Sequence, residues 1–264
     1  METSLPPSET KRLKLTIAYD GAPWTGWQTL PSGHTVQDQI ERVLQKLTDC
    51  AVRIHGSGRT DAGVHALGQV AHTDVPASCG LADDQWAHAL NALLPPSIRV
   101  LRVETVSNEF HARYDARAKV YRYRIWRQRV MSPFEMGRAW HVYGPLDEQG
   151  MGKCARLLVG THNFSRLSVN RGRVSEEERR ENPADVTRTL SRVELCSRDD
   201  TLEVEIEGDG FLYKMVRLIV GSLIHVARGG ETTAWFESLL ADPSGLKSHL
   251  MAPADGLYLV RVIY

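Results

Sequence analysis

The chain of 264 residues predicts an α+β fold built from two ferredoxin-like β-α-β-β-α-β halves with antiparallel sheets. Three observations carry that prediction. Strand-like runs come in adjacent pairs rather than alternating one by one with helices, which argues against a parallel doubly wound sheet. The order strand, helix, two strands, helix, strand occurs twice without repeating its sequence. With 42% hydrophobic residues the chain has enough apolar side chains for one large domain or two small, tightly joined ones. A chain of this length buries about three-quarters of its unfolded surface.

The elements follow from periodicity. An alternating run at 12–19 reads as a strand, and a helix follows over 35–48 with Val36, Ile40, Val43, Leu44 and Leu47 on one stripe and Thr35 as its N-cap. Strands are predicted at 52–55 and 66–73, a helix over 84–94 stopped by Pro95-Pro96, and a strand at 98–106. The second half opens with a strand at 119–127 and a helix at 149–159. Paired strands at 189–197 and 202–207, a long helix at 212–227 and a closing strand at 257–263 complete it. The expected boundaries are a disordered tail 1–11, a first half 12–112 and a second half 113–264. No Gly/Ser- or Pro-rich linker divides the halves, so they are expected to pack rigidly around a central cleft. The one long polar stretch, 170–187, has mixed charges and almost no apolar anchor, and reads as a mobile insertion.

Composition excludes several classes. Cys50, Cys79, Cys154 and Cys196 are far apart with no CxxC spacing, so neither a zinc knuckle nor a disulfide framework is indicated, and reduced thiols are expected. The start lacks an apolar signal core, and the most apolar run, 215–227, is shorter than a membrane span and interrupted by Arg217. A cytoplasmic protein without membrane association is therefore expected. Thirty-two basic residues balance thirty-two acidic ones, which excludes a uniformly polycationic surface. Any site for a polyanion must come from local clustering. His55, His65 and His72 invite a metal reading, but no Cys or carboxylate completes a ligand pattern around them, and no metal is expected.

The most informative segment is GSGRTDAGVHALGQVAH at 56–72, which sets Arg59 and Asp61 in a small-residue turn between strand-like runs. Gly56, Gly58 and Gly63 permit backbone bends and leave room for a large ligand beside Arg59, Thr60 and Asp61. That suits a catalytic aspartate. It equally suits a tight turn whose Asp caps its own backbone.

Between 113 and 129 stand seven cations (Arg113, Arg117, Lys119, Arg122, Arg124, Arg127 and Arg129) against one acid, Asp115, a local sum of +6. Tyr114, Tyr121, Tyr123 and Trp126 are interleaved with them. Cations for phosphates beside flat rings for bases suit single-stranded or flipped-out RNA, where stacking contributes about 1–3 kcal/mol per base. The competing reading is an edge strand with charged gatekeepers. Strand alternation sends 117, 119 and 127 to one face and 122 and 124 to the other, so these cations cannot all line one groove. In the 212–227 helix, Arg217 flanks an apolar stripe. It either pairs with a carboxylate such as Asp61, keeping it ionised, or reaches solvent or Asp209.

Three segments, GRTDAGVHA at 58–66, FHARYDARAKVYRYRI at 110–125 and GFLYKMVRLIVGS at 210–222, resemble in this order segments of the tRNA pseudouridine synthase A (TruA) family. YDGAPWTGWQ at 19–28, GTHNFS at 160–165 and APADGLYLVRV at 252–262 extend the resemblance over nearly the whole chain from about residue 12. Departures are small: Asp209 stands where Asn is common, and Asn163 where Asp is frequent.

The resemblance implies the pseudouridine synthase fold, and isomerisation of uridine to pseudouridine at positions 38, 39 and 40 of the tRNA anticodon stem-loop, with no cofactor or metal. It assigns Asp61 as the catalytic aspartate, Tyr121 as the ring that stacks on the detached base, and Arg217 as the basic partner of Asp61. Arg59 matches an arginine that displaces or holds the flipped nucleotide. Arg113, Lys119, Arg122 and Arg124, with Arg117 and Arg127, are then expected on phosphates. Tyr123 is read as a core residue. The family acts as a homodimer sharing one tRNA. Two rivals remain: a non-catalytic RNA-binding protein, and a pseudouridine synthase with another RNA target.

Overall fold

A computed structural model describes residues 10–169 and 186–264. The expected insertion 170–187 lies outside the described residues except for Val186 and Thr187. Of the expected tail 1–11, Thr10 and Lys11 are described, and both are already paired in a strand.

In chain order the elements are β1 (Thr10–Tyr19), α1 (Val36–Thr48), β2 (Ile54–Gly56), β3 (His65–Pro76), α2 (Asp83–Leu93), β4 (Ile98–Val106) and β5 (Ala118–Trp126). They continue with β6 (Trp140–His141), α3 (Glu148–Leu157), β7 (Gly160–Asn163), β8 (Thr187–Arg198), β9 (Thr201–Gly208), α4 (Met215–Ala227), α5 (Thr233–Ala241) and β10 (Leu257–Ile263). The fold is α+β, and each predicted helix and strand is present within a few residues of its expected ends. Among the described strands and α-helices, three were not predicted: β6, β7 and α5. Among the described residues no helix is long and apolar enough to cross a membrane.

The chain forms two compact units, 1–117 with 258–264, and 118–257. In the first, β1 runs antiparallel to β3 from Thr10↔Pro76 to Tyr19↔Ala66 and to β4 from Arg12↔Val106 to Tyr19↔Ile98. The other edge of β3 takes β2, with Ile54 opposite Thr73, and then the last strand in parallel, with Tyr258 opposite His65. Since β3 lies between β1 and β2, this is the split β-α-β arrangement of a ferredoxin-like unit. Leu13, Leu15 and Ile17 alternate inward from β1 against Ile40 and Leu44 of α1 and Trp86 and Leu90 of α2, all fully buried. Burying such a side chain contributes about 1.5–3 kcal/mol. A capping box starts α1: the Thr35 hydroxyl accepts from Asp38 N–H, and the Asp38 carboxylate accepts from Thr35 N–H.

The closing strand was expected in the second half, yet 258–264 belong to the first unit, and so do 113–117. Local periodicity marks a strand without naming its neighbour. Here Tyr258 and Leu259 pair with β3, Arg117 N–H donates to Ile263 O at 2.8 Å, and the Tyr264 hydroxyl donates to Ala112 O at 2.7 Å.

In the second unit the strand order is β5-β9-β8-β7, antiparallel throughout, with β6 parallel to the end of β5. Again the strand entered later, β9, separates β5 from β8. Tyr121, Tyr123 and Ile125 point inward from β5, with Leu202, Val204 and Ile206 from β9. Met215, Ile219 and Leu223 of α4, Met151 and Cys154 of α3, and Phe236 and Leu239 of α5 are buried as well.

The first unit holds a buried histidine whose protonation opposes folding. His72 on β3 is 3% exposed, its ring 5.1 Å from that of His55 and 4.6 Å from that of His111. Its Nδ1 accepts from Ala112 N–H at 3.1 Å, which uses the neutral ring. Burial pushes its pKa down to about 4, helped by Arg12, His111 and His55, while Asp74 acts the other way. The unfolded chain titrates near the ordinary value of 6.5 and therefore binds the proton first. Stability is complete above pH 6.5 and declines as the pH falls toward 4. Urea unfolding at stepped pH should show this decline, and His72→Gln should flatten it; an identical slope in the variant contradicts the assignment.

Candidate active site

The turn ahead of β3 is stitched to the loop that follows β1. Trp27 N–H donates to Thr60 O at 3.1 Å, Gly63 N–H to Trp24 O at 3.4 Å, and Val64 N–H closes the turn on Asp61 O at 3.1 Å. The loop passes so close that a Cβ on Gly21 would lie 2.0 Å from Val64 O. Of the three glycines in the turn, Gly63 takes the left-handed conformation, at φ +80°. Beneath the turn the Tyr19 hydroxyl meets Thr60 Oγ1 at 2.8 Å. Gln69 bridges the Ser57 hydroxyl, at 2.8 Å, and Gly58 O, at 2.9 Å. Asp61 is left half-buried and Arg59 exposed. Several backbone bonds thus fix the turn that carries this carboxylate, and a carboxylate can in general act as a nucleophile or accept a proton.

His65, next to the turn, stacks on Tyr258 at 4.6 Å, and its Nδ1 accepts from Gly21 N–H at 3.0 Å and lies 3.2 Å from Asp20 Oδ1. His55 and His72 stand apart from it in the stack described above. The sequence offered no signal for Tyr19, Gln69 or His65 as supports of the turn, because each reaches it through non-local pairing.

The second unit holds Tyr121 and Arg217. Tyr121 is 7% exposed on β5, its ring edge-on to Phe211 at 4.8 Å. Tyr123, on the same face, is fully buried and donates its hydroxyl to Pro253 O at 2.8 Å. Burial, then Asp255, raises its pKa, and Arg217 opposes them. Lys214 takes left-handed backbone at φ 61° to start α4, which puts half-buried Arg217 on the first turn of the helix. The macrodipole disfavours a cation there. Arg217 Nε donates to Ala252 O at 2.8 Å.

The basic cluster is divided between the units. Arg113, Tyr114 and Arg117 are in the first, where Tyr114 stacks on His111 at 4.1 Å and the Arg113 guanidinium lies 5.9 Å from the Tyr114 ring. Half-buried Lys119 is the second residue of β5, in the second unit. The sum of +6 does not survive folding, because β9 lays Glu203 and Glu205 opposite Arg124 and Arg122. Arg122 reaches Glu205 at 3.1 Å and Glu203 at 3.5 Å, Arg124 reaches Glu135 at 2.8 Å, and Arg127 pairs with Glu148. Arg192 of β8 continues the ladder to Glu205 at 2.6 Å and Glu194 at 2.8 Å. Burial would raise the Glu205 pKa, but Arg122 and Arg192 outweigh it and hold it below the usual carboxylate value.

The Tyr19–Thr60 bond gives a direct test of how the turn is held. Tyr19→Phe leaves the buried Thr60 hydroxyl without this partner and should lower unfolding stability by about 1–2 kcal/mol, read as an earlier urea midpoint at unchanged slope. An unchanged midpoint would contradict the bond.

The model of the family described as tRNA pseudouridine synthase matches residues 16–115 and 154–264, which include Asp61 and Arg217. Similar curated proteins named tRNA pseudouridine synthase A include one from Akkermansia muciniphila, 42% identical over 254 residues that span 96% of this chain and 95% of the relative. Another, from Bacillus licheniformis, is 41% identical over 255 residues, 96% of this chain and 99% of the relative. A third, from Geobacillus kaustophilus, is 42% identical over 257 residues, 97% and 95%. With a half-buried carboxylate fixed on its signature turn and a match along both units, the chain belongs to the tRNA pseudouridine synthase A family and is an isomerase that acts on tRNA.

Proposed function

We propose that the protein converts uridine to pseudouridine at positions 38, 39 and 40 of the anticodon stem-loop, with Asp61 as the catalytic carboxylate. The observation that carries this reading is Asp61 itself, half-buried on a turn tied by Trp27, Gly63 and Val64. In the reaction the N1–C1′ bond breaks, the held uracil turns, C5 bonds to C1′, the C5 proton leaves and N1 gains one. Product and substrate are isomers, so no oxidant, reductant or cofactor enters the balance. A carboxylate serves both as nucleophile toward carbon and as proton acceptor. Arg217 takes the role of basic residue that the family resemblance assigns to it, and Tyr121 stacks on the detached base.

Extruding a stacked uridine costs a few kcal/mol before chemistry starts. Arg59 holds the opened position beside Asp61, and phosphate contacts offset the rest. Arg113 and Lys119 lead that role, with exposed Tyr114 beside Arg113 as a stacking surface. Arg122 and Arg124 can join only by exchanging glutamate partners for phosphates. A cytoplasmic homodimer sharing one tRNA completes the proposal.

Unmodified tRNA transcripts carrying a single uridine at 38, 39 or 40, mapped for pseudouridine after incubation, test the positions. Pseudouridine in each of the three is expected. Modification in another arm would support a different RNA target, and tRNA binding without any pseudouridine would support the non-catalytic rival.

A further inference from the structure

A segment without helix or strand, residues 242–256, runs through the second unit from the end of α5 to β10, and its polar bonds form one continuous chain. At its start Arg166, in the 3₁₀ turn Ser165–Leu167, is 7% exposed. Its guanidinium donates to backbone carbonyls: Nε to Leu246 O at 2.7 Å, and Nη1 to Ser238 O at 2.6 Å and Asp242 O at 3.2 Å. Arg166 O accepts from Ser248 N–H at 2.9 Å.

Further along, the buried hydroxyls of Ser248 and Ser222 meet at 2.8 Å, which ties the segment to α4. The segment then lies directly on that helix, because a Cβ on Gly221 would sit 1.9 Å from Leu250 O. It ends in a reciprocal clamp: Ala252 N–H donates to Arg217 O at 3.0 Å, and Arg217 Nε donates to Ala252 O at 2.8 Å. The next residue accepts the Tyr123 hydroxyl.

A buried guanidinium is expensive to desolvate and needs a stated use. Arg166 spends its donors on two carbonyls of a segment that has no ladder of its own, Leu246 O and Asp242 O, and on Ser238 O in the helix before it. The beneficiary at the other end is an arginine head set against a helix dipole. We propose that the 242–256 segment, anchored by Arg166, fixes the Arg217 guanidinium, which makes Arg166 a positioning residue for pseudouridine formation. The inference rests on the proposed role of Arg217. Arg166 acts through Ser248 and Ala252 and does not itself touch RNA.

The test compares full-length Arg166→Met, Arg166→Lys, Arg217→Lys and the Arg166→Met/Arg217→Lys double variant. Tritium release from tRNA carrying 5-tritiated uridine gives kcat and KM, and native-state amide exchange is followed at Ala252 and in β9. Arg166→Met should lower kcat, by up to about a hundredfold if the guanidinium moves by an ångström, with KM unchanged. Its Ala252 amide should exchange faster while β9 amides stay protected. Arg166→Lys should recover part of kcat, and the double variant should be no slower than Arg217→Lys, since both changes act on one group.

Normal kcat in Arg166→Met, or losses that multiply in the double variant, would overturn the positioning role. If Arg166→Met loses protection in β9 as well, Arg166→Lys and Ser248→Ala replace it with the same readouts: a lowered kcat with protected β9 amides supports the role, and a normal kcat overturns it. Full turnover by Arg217→Lys would overturn the role of Arg217 and this inference together. Loss in Arg217→Lys alone would overturn only this inference.

Discussion

Each unit depends on one strand paired along both edges. In the first it is β3, held by β1 on one side and by β2 and the closing strand on the other. A strand covered on both sides and both faces cannot show simple alternation, and ten of its twelve residues are buried, among them Gln69, His72 and Thr73. Each of these polar side chains has a defined partner: Gln69 braces the turn, His72 accepts from Ala112, and Thr73 donates to Arg53 O. The Asp61 turn is the chain's entry into this strand, so the carboxylate sits next to backbone paired along both edges. In the second unit β9 has the same place between β5 and β8, and it sets which charges meet on the outer face.

That pairing changes the meaning of the basic cluster. Arg122 and Arg124 look like phosphate ligands only while β5 is considered alone. Once β9 is in register, Glu205 and Glu203 stand opposite them, and an ion-pair ladder runs across three strands to Arg192. Such partly exposed pairs each contribute on the order of 1 kcal/mol or less. Their larger effect is on recognition, because a phosphate must displace a carboxylate to reach those arginines. Arg113 and Tyr114 stand in the other unit, outside this ladder. The two ends of one basic stretch therefore carry different electrostatic roles.

What the sequence made legible was local: the alternation of β1, the stripe and N-cap of α1, the breaker after α2, and the small-residue turn around Asp61. What it hid was non-local. The register of β9, the placement of 258–264 beside β3, the Tyr19 brace under Thr60 and the Arg166 anchor each join residues far apart in the chain. Only Phe236 and Leu239 of α5 are buried, too few to mark a nine-residue helix by periodicity. The site residues show the same division. Asp61 stands out as chemistry in a turn, whereas the sequence leaves Tyr121 between a stacking surface for RNA and an edge strand, and Arg217 between a carboxylate partner and solvent, until the family segments suggest a role for each.

The measurement that tests the central claim most directly is tritium release from tRNA carrying 5-tritiated uridine by the wild-type protein and by Asp61→Asn, with tRNA binding measured in parallel. Joining C5 to C1′ expels the C5 hydrogen, so wild type should release tritium, and the variant should bind tRNA and release none. Turnover by a folded Asp61→Asn protein at the wild-type rate would contradict the account.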